Sequence, residues 1–288
     1  MNMRIIVTAV VAGLACAPAL AATPAATSGP WAQVPALTTA CYSDKDPWSE
    51  KNDAAINAVQ ESQSKQKAAN TAVEEKSNKA LSENPMALAQ AMQQAMMDDP
   101  ANAQKIMEKM VKTGEQAQTE VPEQTEKEKQ MEEESKALLK QYDSALLKAM
   151  APAEARWTAL KTKRGYASDA MGPSETGEPD WVYDEWTVIL KERDKGYAAN
   201  CAQWWSATGP VHAYMKRYKD YLVQERIPYE VRLVDQPKLD QFKMLNVPTE
   251  GWRTTTDFDA AVDYMKMAAN VFGHRAAWPL CREETYCK

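Results

Sequence analysis

Between Ser49 and Met150 the chain has no tryptophan, no phenylalanine and no histidine; Tyr142 is its only aromatic residue and Gly114 its only glycine. Large aromatics bury the area a wide core needs, so a segment without them is not expected to form a compact one. The whole chain has two histidines, His212 and His274, and neither stands in an H-E-x-x-H or C-x-x-C arrangement. A phosphate loop, a dinucleotide fingerprint and a G-x-S-x-G elbow are missing too. There is no surplus of cations: 34 Lys and Arg stand against 40 Asp and Glu, a formal charge of −6. Nucleic-acid binding rests on Lys and Arg neutralising phosphates, so that function class is excluded. The basic and aromatic stretch HAYMKRYKDYL at 212–222 does not alter this, because its aromatics fall on an apolar helical stripe. Acids are plentiful but sit mostly in polar runs, which do not desolvate a carboxyl into a general acid. Catalysis is not expected.

Apolar runs are short everywhere except at the start. Residues 1–21 read as a signal peptide, with Arg4, an apolar stretch from Ile5 and the small residues of an A-x-A cleavage pattern. Cleavage is placed after Ala21 or Ala22. Lipidation at Cys16 is disfavoured because Gly13 stands where a large aliphatic residue belongs. Nothing later is long and apolar enough for a transmembrane segment. The mature chain is thus expected to be periplasmic or secreted. Losing Arg4 and no acid takes the charge from −6 to −7. Four cysteines remain, Cys41, Cys201, Cys281 and Cys287. An even number in an oxidising compartment implies two disulfides, with three connectivities open. No thiol is then left for catalysis.

What is present divides near residue 150. Residues 22–48 read as an extended N-terminal segment. Residues 49–150 are rich in Ala, Gln, Glu, Lys and Met, all strong helix formers, and suggest an elongated helical region. Residues 151–288 hold Trp157, Trp181, Trp186, Trp204, Trp205, Trp252 and Trp278, the material of a compact, disulfide-stapled helical domain. The fold class is all-α, or mainly α. Met131, Ser135, Leu138 and Tyr142 keep helical spacing, as do Val211, Met215, Tyr218 and Leu222, and Ala260, Ala261, Tyr264, Met265, Ala268 and Phe272. Residues 165–180 read as a loop, and 186–190 as helix despite their β-friendly side chains. Only Tyr229–Val234 dissents: it alternates strictly after Pro228, the pattern of one short strand. Pro122 and Pro152 read as helix starts. The charged stretch EQTEKEKQMEEESK is expected to be a solvated helix projecting from the body, and the acids of 120–134 mildly favour a basic partner.

The most unusual stretch is NPMALAQAMQQAMMDDPANAQKIMEKM, residues 84–110. Asn84-Pro85 and Asp99-Pro100 each place a capping side chain before a proline, the signature of a helix start. Met92 and Met96 share a face at i, i+4, and Met107 and Met110 at i, i+3. Three readings compete: methionines as core filler, a flexible groove for an apolar partner, and thioether ligands for Cu(I). Packing ranks first, the groove close behind and copper well behind, since no His or Cys is nearby. Short Met-rich helices begun by Asn-Pro or Asp-Pro resemble the Asp-Pro-type repeats of stress-inducible co-chaperones and ubiquilins. That resemblance covers residues 84–111 and implies a cup for hydrophobic client segments.

The sequence therefore points to a non-enzymatic exported protein that binds another exported or envelope protein, as a chaperone or adaptor or as a dedicated inhibitor of immunity type. Met92, Met96, Met107 and Met110 are its partner-binding candidates. No cofactor is expected. The alternatives are copper held by those same four methionines and, last, a cell-wall glycan stacked on the tryptophans.

Overall fold

A computed structural model describes residues 29–38, 48–170, 172–173 and 180–273. It is 85% helical, with no strand among the described residues, so the chain is all-α with a tryptophan-rich aromatic cluster. A short 3-10 turn at Gly29–Gln33 precedes α1 (Trp48–Glu83), α2 (Ala87–Asp98), α3 (Pro100–Arg164) and α4 (Asp180–Trp205). Next come α5 (Pro210–Tyr221), α6 (Ile227–Glu230), α7 (Gln236–Met244) and α8 (Thr256–Gly273). No described helix is long and apolar enough to cross a membrane.

The expected strand at 229–234 is helix instead. α5, α6 and α7 form one continuous helical run, joined by π-turns at Leu222–Arg226 and Val231–Asp235. Val231 sits at φ −57°, ψ −43°. No residue of 227–234 is fully buried, so neither alternating face has a core to meet, and extending an existing helix costs less than starting a new element. Each π-turn ends two residues before a proline, Pro228 and Pro237. A proline ring clashes with the carbonyl four residues back, and a widened turn relieves that clash.

Pro122 and Pro152 start no helices either, because α3 runs unbroken through both. At Pro152 the cost of an interior proline, about 3 kcal/mol, is offset by the buried stripe Leu146, Met150, Ala153, Trp157 and Leu160 on either side of it. The composition change near residue 150 falls inside this helix. α3 ends where Gly165 adopts φ 69°. There the Tyr166 N–H reaches back to the Lys161 carbonyl at 3.0 Å, a glycine C-cap that closes the last turn.

The main core joins both composition zones. Tyr142, Leu146 and Met150 of α3 pack with Tyr197, Trp204 and Trp205 of α4, with α5, and with Met265, Val271 and Phe272 of α8. The stripes expected on α5 and α8 are buried throughout. A second cluster joins Ala153, Trp157 and Leu160 to Ile189, and a third joins Val73 to Phe242 and Val247. α1 adds polar contacts to its buried Trp48, Val59 and Val73. Asn52 Nδ2 donates to the Met265 carbonyl at 3.0 Å, Gln63 Nε2 to Asp259 at 2.6 Å, and Asn70 Nδ2 to the Arg253 carbonyl at 2.7 Å. Gln241 Nε2 donates to Ser77 Oγ at 3.2 Å. Each neutral bond contributes only about 1 kcal/mol, but a buried amide left unpaired costs more, so these contacts fix the register of α1.

Candidate interaction surfaces

Of the two proline-marked starts, the second forms at its proline, whereas α2 begins at Ala87, two residues after Pro85, which lies in the turn before it. Asn84 Oδ1 accepts from the Met86 N–H at 3.1 Å, and Asn84 Nδ2 donates to Gln90 at 2.9 Å, so the side chain closes the turn that opens α2. α3 begins at Pro100, directly after Asp99. α2 lies against α3 and α7. The methionines of this stretch divide. Met92 is half-buried, whereas Met86, Met96 and Met97 are 60%, 42% and 65% exposed. Filler in a core would be covered, and these three are not. The side chains of Met107 and Met110 lie outside what the structure describes, although both residues belong to α3. Sequence reasoning singled out Met92 and Met96 but set aside Met86 and Met97, which do not share their spacing. Exposure does not show in spacing.

The charged stretch of α3 does not project. Arg226, in the first π-turn, donates from Nε to Glu230 at 2.9 Å and from Nη1 to Asp263 at 2.8 Å, and its Nε stands 3.5 Å from Glu128 of α3. Burial opposes its charge, and the two carboxylate hydrogen bonds more than offset this, so the guanidinium is held above its ordinary value. Lys127 pairs with Glu225 at 2.6 Å, and Glu134 pairs with Arg217. These acids find cations within their own chain. The sequence could not show this, because the partners lie roughly ninety residues further on.

A groove of about 390 Å³ lies between α3 and α4, with Leu160 and Ile189 at its floor, Val188 beside them and Arg156, Lys163 and Glu185 on its rim. Its charges are largely matched: Arg156 meets Glu192 at 2.6 Å, and Lys163 and Arg164 share Glu185. No group of three or more His, Cys, Asp or Glu is placed to hold a metal among the described residues. Cys201 is fully buried and disulfide-bonded. Cys41, Cys281 and Cys287 lie outside the described residues, as does the signal peptide. Trp204 and Trp205 are 6% and 0% exposed, so neither presents a face on which a sugar could stack.

Burial pushes Tyr214 and Tyr264 up to about 12, and it raises Tyr142, Tyr218 and Tyr221 as well. The folded state holds these phenolic protons more tightly than the unfolded chain, which ionises near 10.0. Their stabilisation is therefore complete below about pH 10 and is lost as the pH rises towards about 12. Thermal midpoints measured across that range should fall steeply above about pH 10; a flat profile would contradict the burial of these phenols.

Comparison of the chain with protein-family models, curated proteins and solved structures finds no match. The surfaces alone therefore carry the functional reading.

Proposed function

We propose that this is an exported, non-enzymatic protein that binds other proteins, holding apolar client segments on the methionine face around α2 as a chaperone or adaptor. One observation carries the reading. Six large apolar residues stand well exposed among the described residues, and three of them, Met86, Met96 and Met97, belong to α2 or the turn that opens it. Single exposed apolar side chains need no explanation, but a concentration of them marks a contact surface. Methionine suits such a surface because its unbranched, polarizable chain repacks against different partners. The resemblance of 84–111 to co-chaperone repeats points the same way. A dedicated inhibitor would rather present a fixed charged patch, and the acids of α3 that favoured a basic partner include Glu128 and Glu134, which meet the chain's own arginines.

The test replaces Met86, Met96 and Met97 together with Gln, which keeps length and removes apolarity. Met86 and Met97 are already largely in water and Met96 is 42% exposed, so stability should change by no more than about 1 kcal/mol. If each contributes about 1 kcal/mol to holding a client, the triple variant should bind about 100-fold more weakly. Retention of an unfolded apolar client by the two proteins measures this. Equal retention would remove the methionine face from the account.

A further inference from the structure

Residues 124–134 of α3 are attached to the body by a seam that is almost wholly polar. The Tyr221 hydroxyl donates to Gln124 Oε1 at 3.0 Å, and the Tyr214 hydroxyl donates to the Met131 carbonyl at 2.9 Å. Lys127 meets Glu225, Glu128 meets Arg226, and Glu134 meets Arg217. Met131 is the one apolar side chain of this stretch packed against the main core, and it is only partly buried. From Leu138 onward the same helix is held by apolar burial through Tyr142, Leu146 and Met150. The two halves of α3 thus adhere by different physics. Ionic contacts at the surface weaken with salt and open locally, whereas a core stripe does not.

Beneath the polar half, α5 and the π-turn after it offer Tyr214, Tyr218, Tyr221, Arg217 and Glu225, with Arg226 set between Glu230 and Asp263 of the body and Glu128 of the cover. Tyr214 and Tyr218 stack at an interplanar angle of 5°. Tyrosine and arginine are the residues that dominate binding energy in protein interfaces. We propose that residues 124–134 are a releasable cover on a second docking surface, and that the strip beneath takes a helix of the same charge pattern, one lysine and two carboxylates, from a partner protein. The resident segment is the template for that partner: a lysine at 127 facing Glu225, then carboxylates six residues apart, at Glu128 and Glu134, with one apolar side chain between them. This surface is separate from the methionine face and does not depend on it.

A labelled peptide copying residues 120–138 tests the proposal on the full-length mature protein. In the Glu128→Arg/Glu134→Arg variant the resident cover meets like charge and should stand open. Because a covered site binds in proportion to the fraction open, the peptide should bind this variant at least about 10-fold more tightly than the wild type. Adding Arg226→Glu should abolish the gain. Equal binding to both proteins, or binding to neither, overturns the proposal. Amide hydrogen exchange on the unmodified protein decides the matter independently should the variant fail to fold. Amides of 124–134 should exchange faster than those of 138–150 and faster still in high salt, and equal protection of the two halves in both conditions would overturn the cover.

Discussion

Trp205→Ala should cost about 3–5 kcal/mol, a large part of the 5–15 kcal/mol typical of a folded protein. Trp205 is fully buried, with its ring 4.2 Å from that of Tyr142 and 6.4 Å from that of Phe272, so it joins α3, α4 and α8 at one point. Truncation removes that area and leaves a cavity that three helices cannot close together. Its indole N–H has no hydrogen-bond partner among the described residues. Trp205→Phe therefore loses area but no hydrogen bond, and should cost far less, about 1 kcal/mol. Denaturant midpoints of the two variants measure the difference. Equal losses would mean that the indole nitrogen, rather than the buried area, carries the effect.

Gly196→Ala should destabilise although alanine is the better helix former. In the interior of a helix the exchange alone would stabilise by about 1 kcal/mol. Here α4 crosses α3 in close contact, and a Cβ at Gly196 would fall 2.6 Å from the carbonyl oxygen of Ala149. Backbone cannot rotate aside as a side chain can, so one helix must move and loosen the packing of Met150 and Tyr197 nearby. Overpacking of this kind costs about 1–3 kcal/mol, enough to reverse the sign of the propensity gain. A denaturant midpoint that falls confirms the crossing; one that rises would mean that the two helices stand further apart than the 2.6 Å approach to Ala149 requires.

The helices whose inner faces are apolar could be read from the sequence. α5 and α8 carry apolar residues at steps of three and four, and those residues are buried. The Asn84 cap and the start at Pro100 were legible because a capping side chain and a proline act locally. α1 was less legible, since between Trp48, Val59 and Val73 its inward face carries Asn52, Gln63, Asn70 and Ser77, which any hydropathy pattern assigns to solvent. Those polar side chains point inward because their partners lie on α7, α8 and the segment between them, far along the chain. The same blindness to distant partners hid the arginines that meet Glu128 and Glu134. The strand expected at 229–234 failed for another reason: the π-turn at Val231–Asp235 shifts the helical register there, and a period measured over six residues cannot separate that from alternation. At the candidate site, the positions of the methionines were plain from the sequence, and their exposure was not, because it depends on what α3 and α7 leave uncovered beside α2.

The central claim is that the methionine face holds apolar segments of other proteins. The most direct measurement is retention of one chemically unfolded client by the oxidised protein, beside the Met86→Gln/Met96→Gln/Met97→Gln variant at matched concentration and equal thermal midpoint. The account predicts that the wild type keeps the client in solution while the variant loses about 100-fold in affinity. A wild type that retains nothing, or a variant that retains as much, would contradict it.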